Sequence, residues 1–194
     1  MRIFGIILAG GAGRRMGGAD KALLMLAGET LLTRAVARLE PQVERLALSA
    51  NGDADRFARY GLPVLADLAA QGPLSGLLAG LSWAALGGAD ALVTVPVDCP
   101  FLPPDLVPRL LLAAGDGVAL ASSGGTLHPT FGLWPPRLAT PLAAFLTSGA
   151  KPRIRDFAQS EGMQPASFPD DGSFANLNTP EDLARADSRF RSTA

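Results

Sequence analysis

The sequence predicts a single α/β domain built on a mostly parallel sheet. Three observations carry that expectation. Short, nearly continuous apolar runs alternate with stretches of helical periodicity along the first half of the chain. Residues suited to chemistry follow each of the first four runs. The 194 residues are 48% hydrophobic, ample for one packed core, and no repeat, low-complexity tract or long linker divides them.

Residues 3–9 form an apolar run of the kind that is covered on both faces. Leu32, Ala35, Val36 and Leu39 then recur at helical spacing, with Arg34 and Arg38 off the stripe, which predicts an amphipathic helix closed by Pro41. Residues 46–50 predict a second strand, 55–60 a short helix and 64–66 a third strand. A mostly apolar helix over 74–86 ends at Gly87-Gly88, and 91–95 is a buried strand halted by Pro96. Pro103-Pro104-Asp105 opens a helix to about residue 114, with proline in its first turn and Asp105 as its cap. The second half is less regular. Residues 117–122 and 127–133 read as strands, and 137–146 and 154–159 as helices. Thr179-Pro180-Glu181-Asp182 starts a last helix, with Thr179 as N-cap and acids in the first turn.

Composition excludes several function classes. Seventeen Lys and Arg against eighteen Asp and Glu give a net charge of −1, which is not that of a nucleic-acid clamp or polybasic membrane binder. One Cys forms no internal disulfide, and one His with one Cys is too few soft ligands for a structural zinc site. Hard-cation chemistry on carboxylates remains. No apolar run approaches a membrane span. The N-terminus faintly imitates a secretory signal, but its short apolar stretch contains Gly5 and runs into Arg14 and Arg15, so it is kept in the mature fold. A cytoplasmic monomer is expected.

Ligands of open α/β sheets bind beyond the carboxyl ends of the parallel strands. After the first run comes Gly10-Gly11-Ala12-Gly13-Arg14-Arg15-Met16-Gly17-Gly18-Ala19-Asp20-Lys21. After the second come Ser49 and Asn51, after the third Asp67, and after the fourth Asp98. The glycines permit close approach of backbone N–H groups to a phosphate chain, and Arg14, Arg15 and Lys21 supply charge. Only Lys21 and Lys151 are lysines, so a lysine ending this loop is poor surface filler. The loop reads as an anion site rather than a solvated turn. It is neither of two common phosphate motifs. Walker A needs Gly-Lys-Ser/Thr where this chain has Asp20-Lys21-Ala22, and the dinucleotide fingerprint needs a glycine at Met16. Asp98, in Val97-Asp98-Cys99-Pro100, is placed to hold Mg²⁺ against a nucleotide's phosphates, whereas Asp105 is the better helix cap.

These residues resemble the molybdenum cofactor guanylyltransferase family, glycosyltransferase-A-like nucleotidyltransferases. The resemblance runs through the loop from Leu8-Ala9-Gly10-Gly11 to Asp20-Lys21, Asp67, Gly72-Pro73-Leu74-Ser75-Gly76 and Pro96-Val97-Asp98-Cys99-Pro100. It ends in His128-Pro129-Thr130 and Asn176-Leu177-Asn178-Thr179-Pro180-Glu181-Asp182-Leu183, so it spans positions 8 to 183. It implies a three-layer, Rossmann-like domain over residues 1–194, with a GTP-binding half (1–115) and an acceptor-binding half (116–194). It implies that Leu8, Ala9 and Gly10 contact guanine nucleotide, that Gly11, Arg15, Gly18 and Lys21 hold the triphosphate, and that Asp67 binds nucleotide. Asp98 would bind GTP and Mg²⁺; Asn176 and Asn178 would face the pterin. Where the family commonly has Asn-x-Asn, this chain has Ser49-Ala50-Asn51: a hydroxyl replaces the amide, or Asn51 shifts in.

The implied reaction transfers GMP from GTP to the terminal phosphate of molybdopterin or molybdenum cofactor, with Arg15, Lys21 and Asp98 as catalytic groups and pyrophosphate as leaving group. Transient contacts with cofactor-supplying and client molybdoenzymes would follow. His128 is read either as an acceptor contact or acid–base group, or as a satisfied structural residue. The basic stretch Lys151 to Arg155 reads as a solvated helix start, Trp83 and Trp134 as packing residues, and Cys99 as non-catalytic. A cytidylyltransferase sibling using CTP is the nearest alternative, and Gly10-Gly11 argues against it. A non-catalytic GTP or cofactor carrier is the other.

Overall fold

The computed structural model describes residues 1–10, 20–66, 72–147 and 153–191. Within them the strands are β1 (Ile3–Leu8), β2 (Met25–Leu26), β3 (Glu29–Thr30), β4 (Arg45–Ser49), β5 (Val64–Leu65), β6 (Ala91–Pro96), β7 (Ala119–Ser123), β8 (Thr126–Trp134) and β9 (Gln164–Phe168). The α-helices are α1 (Leu31–Leu39), α2 (Pro73–Leu86), α3 (Leu106–Ala114), α4 (Ala139–Thr147), α5 (Ile154–Ser160) and α6 (Pro180–Arg191). Seven strands form one sheet in the order β5-β4-β1-β6-β8-β7-β9, while β2 and β3 make a separate small ribbon. β8 alone among the seven runs antiparallel to its neighbours. The expected α/β class and mostly parallel sheet are therefore observed.

The period-two alternation of strand side chains sorts the core into two layers. From β1 and β6, Phe4, Ile6, Leu8 and Leu92 point to one face and pack with α2, α4 and α5. Ile7, Ala91, Val93 and Val95 point to the other and pack with α1, α3 and α6. Central strands covered on both faces must read as continuous apolar runs, which is why β1 and β6 were the most legible segments. Helix α2 approaches its face closely because it is smooth there. A Cβ added at Gly80 would come within 2.9 Å of Ile6 and Leu92.

The departures from expectation have local causes. The short helix expected over 55–60 is present, as the 3-10 helix Ala54–Tyr60. Pro41 lies in a 3-10 turn that continues α1, and Pro96 belongs to β6, paired with Leu8. Pro103 and Pro104 stand before α3, and Pro108 occupies its first turn instead. Asp105 makes no side-chain cap bond; Arg109 holds its carboxylate at 2.6 Å. The cap comes from afar, as the Val107 N–H donates to Gln42 Oε1 at 3.0 Å. Residues 137–146 divide into a 3-10 turn and α4. β9 and the β2–β3 ribbon were not anticipated. Among the described residues no helix is long and apolar enough to cross a membrane.

One buried polar cluster pins the antiparallel junction. Thr94 on β6 pairs with Gly132 on β8. Its hydroxyl oxygen accepts from the Gly132 N–H at 3.2 Å and from the fully buried Trp134 indole N–H at 3.1 Å. Thr94→Val keeps the shape but strands both donors, and each buried unpaired donor costs about 1–3 kcal/mol. Urea unfolding should show a loss of about 2–4 kcal/mol for Thr94→Val, with Thr94→Ser much closer to wild type. Equal stability of the valine variant would remove the cluster from the account of the fold.

Candidate active site

The parallel strands β1, β4, β5 and β6 all end at one edge, and backbone pairing continues a step beyond them. The Ala9 N–H donates to the Ser49 carbonyl at 2.9 Å, the Ala50 N–H to Leu65 at 3.1 Å and the Val97 N–H to Leu8 at 3.1 Å. The chain therefore leaves these strands side by side, at the carboxyl-end edge where the sequence sets the candidate groups. Leu8 is buried, Ala9 half-buried and Gly10 exposed at its rim. Gly11, Arg15, Gly18 and Asp67 lie outside the described residues, as do Arg14 and Lys151.

The chain is again described from Asp20, which caps the 3-10 turn Lys21–Leu23 by accepting from the Ala22 N–H at 3.1 Å. That turn presents Lys21. Its Nζ lies 2.6 Å from Asp98 Oδ2 and 2.7 Å from Asn178 Oδ1. The Lys21 and Asp98 side chains are only 17% and 14% exposed. Three sequence-expected residues, 77 and 157 positions apart along the chain, thus meet at one ammonium group.

Asn178 is held by the start of α6. The Thr179-Pro180-Glu181-Asp182 stretch closes on itself: the Asp182 N–H donates to Thr179 Oγ1 at 3.1 Å, and Asp182 Oδ2 accepts from the Asn178 and Thr179 N–H groups, both at 3.0 Å. This reciprocal cap is worth about 1 kcal/mol to the helix and fixes the residue before it. The Asn178 N–H, followed by the Thr179 hydroxyl, holds the Asp182 carboxyl below its ordinary range. The Thr179 cap expected from sequence is present.

The Asp98 loop and the Asn176 segment are stitched together. The Leu177 N–H donates to the Asp98 carbonyl at 2.9 Å, and the Cys99 thiol to Asn176 Oδ1 at 2.9 Å. Burial first, then the neighbouring Asp98, pushes the Cys99 thiol well above its ordinary range, so it remains a neutral donor. This structural role of Cys99, as a donor to Asn176, has no signal in the sequence. Asn176 itself is exposed beside the site.

His128 shares a hydrogen bond of 2.8 Å with Ser123 and stacks on Phe174, ring centroids 4.5 Å apart, two residues before Asn176. Burial lowers its pKa, with Asp170 opposing. The second half thus brings His128 beside the Asn-x-Asn segment. Ser49 is placed differently. Its side chain is 1% exposed and packs under α2, where a Cβ at Gly76 would come within 2.4 Å of the hydroxyl. Gly76 follows Gly72, whose φ of 72° starts the helix with Pro73 at its first position. Asn51 is exposed, and its carbonyl accepts from Arg56 at 2.6 Å. Arg56 is marked by no motif in the sequence, and its Nε also donates to Asp20 at 2.6 Å.

A cleft of about 580 Å³ is lined by Phe101, Arg109, Phe168 and Phe174, the last being the ring on which His128 stacks. Among the described residues no group of three or more His, Cys, Asp or Glu is arranged to hold a metal.

The MobA-like NTP transferase domain matches residues 5–163. The chain is 60% identical over 194 residues to a molybdenum cofactor guanylyltransferase of Cereibacter sphaeroides, covering all of both chains. A protein of the same name from Mesorhizobium japonicum is 49% identical over 95% of this chain and 94% of its own. The crystal structure of molybdopterin-guanine dinucleotide biosynthesis protein A from Archaeoglobus fulgidus superposes with a TM-score of 0.75 over 97% of this chain and 99% of that one, at 22% identity. A CMP:2-keto-3-deoxy-manno-octonic acid synthetase complexed with CTP gives 0.81 over the full length of both at 13% identity, a likeness of fold alone. With a domain match over most of its length and relatives of this identity, the chain belongs to the MobA-like NTP transferase family.

Proposed function

We propose that this chain transfers GMP from GTP to the terminal phosphate of molybdopterin or molybdenum cofactor. A phosphate oxygen of the acceptor attacks the α-phosphorus of GTP, the bond from that phosphorus to the bridging oxygen breaks, and pyrophosphate leaves. The product is the guanine dinucleotide form of the cofactor. The observation that carries this reading is the meeting of Lys21, Asp98 and Asn178 at 2.6 and 2.7 Å. One contact joins the glycine loop, the β6 loop and the terminal Asn-x-Asn-Thr-Pro block, the parts that a triphosphate and its acceptor would share. The relatives' names agree with it.

A phosphate monoester is already an anionic nucleophile, so the chain has to position and neutralise rather than deprotonate. In this reading residues 1–115 form the GTP half, with Leu8, Ala9 and Gly10 against the guanine nucleotide and, since Ser49 is buried beneath α2, the exposed Asn51 taking the further nucleotide contact. Gly11, Arg15, Gly18 and Lys21 hold the triphosphate, and Asp67 contacts the nucleotide. Residues 116–194 face the acceptor through His128, Asn176 and Asn178. Lys21 stands at the seam, and its charge opposes the one that develops on the departing phosphates.

Mg²⁺ fits the donor set, since it takes one or two carboxylates with phosphates and waters completing its shell, and Asp98 presents a carboxylate at this edge. Asp98 would hold it, and the bound ion would neutralise phosphate charge. Lys21, whose ammonium Asp98 and Asn178 hold in the structure, then keeps Asn178 as an acceptor while its charge turns to the phosphates.

Calorimetry with Mg²⁺ present should show GTP bound at least about tenfold more tightly than CTP, or about 1.4 kcal/mol. Preference for CTP would move the reading to the cytidylyl sibling, and GTP binding with no acceptor-dependent release of pyrophosphate would make the chain a carrier. Asp98→Asn should lower the transfer rate by about 10²–10³-fold in a protein that still folds, with a lower thermal midpoint because the Lys21 ammonium loses its counter-charge. Wild-type turnover in that variant would remove Asp98 from the chemistry. Cys99, with no solvent exposure, should resist iodoacetamide in the native protein and take up one label in urea. Rapid native labelling would show that the Asn176 segment opens readily.

A further inference from the structure

We propose that Arg56 is a positioning residue for Lys21, acting through the carboxylate of Asp20. The proposal rests on the reading of Lys21 as a triphosphate contact. Arg56 lies in the 3-10 helix Ala54–Tyr60 that follows β4, remote in sequence from the glycine loop. Its Nε donates to Asp20 Oδ2 at 2.6 Å, one terminal nitrogen donates to the Asn51 carbonyl at 2.6 Å, and the other donates to the Asp53 carbonyl. Its guanidinium also sits 4.3 Å from the ring of Phe57, a fully packed core residue, which fixes its plane.

Both oxygens of Asp20 are committed. Oδ2 meets Arg56, and Oδ1 accepts the Ala22 N–H that closes the turn beginning at Lys21. Arg56 therefore braces the carboxylate that shapes the Lys21 turn, and Lys21 reaches Asp98 and Asn178 from that turn. The same guanidinium ties the turn to the chain just after β4, where Asn51 follows Ser49. All three of its nitrogens have protein acceptors, so the guanidinium is held in a fixed orientation between Asp20 and the chain after β4. A planar fork of donors serves three acceptors at once; a lysine ammonium at the same place would keep the charge but lose the fixed geometry.

The test uses the full chain, which has two lysines, Lys21 and Lys151. Biosynthetic ¹³C-lysine labelling gives two ε-methylene signals, assigned with Lys151→Arg. In Arg56→Gln the Lys21 signal should move toward that of a free lysine and the Lys151 signal should stay. GTP turnover should fall by about ten- to a hundredfold in kcat/KM, chiefly through KM for GTP, with partial recovery in Arg56→Lys. Thr94→Val, which removes a buried hydrogen-bond acceptor at the β6–β8 junction, should lower the thermal midpoint yet leave the Lys21 signal in place. If Arg56→Gln fails to fold, Asp20→Asn replaces it: that change keeps an acceptor for Ala22 but removes the charge facing Arg56, and it should move the same signal. An unmoved Lys21 signal in a folded variant overturns the proposal. A moved signal in a protein that does not use GTP upholds the brace and instead sinks the guanylyl reading.

Discussion

The site depends on one partly buried charge. Lys21 and Asp98 are both mostly removed from water, and each is tolerable there only because the other is 2.6 Å away. Asn178 takes a further donor of the ammonium. Removing one member would leave a charge half-solvated among neighbours that cannot answer it, so the three segments are held to a common geometry by electrostatics as well as by packing. The rest of the edge follows from this constraint. The reciprocal cap of α6 fixes Asn178, the Cys99 thiol and the Asp98 carbonyl fix the strand of chain leading to it, and the cap of Asp20 fixes Lys21.

What could be read from the sequence was what local physics determines. β1 and β6 are buried on both faces, and a strand so covered has to be a short, nearly continuous apolar run. Thr179-Pro180-Glu181-Asp182 announces a helix start because the cap is made within four residues. The rule that ligands of open α/β sheets bind beyond the carboxyl ends of the strands assigns Ser49, Asp98 and the glycine loop to one edge. The glycine loop itself, with Arg15 and Gly18, and Asp67 lie outside the described residues, so their part in the site rests on the sequence.

What could not be read depends on partners distant in the chain. β9 is an edge strand of five residues with Pro165 inside it, paired only with β7, and nothing local distinguishes it from a loop. Asp105 looked like a cap because its position was right, but Gln42, more than sixty residues earlier, supplies the acceptor and Arg109 takes the carboxylate. Arg56 carries no motif. Its importance comes from meeting a carboxylate 36 positions away, a distance at which residue type and spacing say nothing. Ser49 shows the same limit in reverse: its position after β4 pointed to the ligand edge, whereas its side chain packs beneath α2 because Gly76 leaves room for it.

A division of labour follows from these placements. The hydrophobic layers decide where the strands end, and they do so with residues that any α/β domain of this kind could use. The polar contacts decide which loops meet beyond those ends. Nucleotidyl transfer to a phosphate asks little of acid–base chemistry and much of position, because nucleophile and electrophile are both anionic and must be brought together against their repulsion. A site for that task needs cations whose places are fixed before the substrates arrive. Lys21 has that character: it rests on Asp98 and Asn178, so its charge is fixed where its own turn, the Asp98 loop and the start of α6 meet instead of being carried on a mobile side chain.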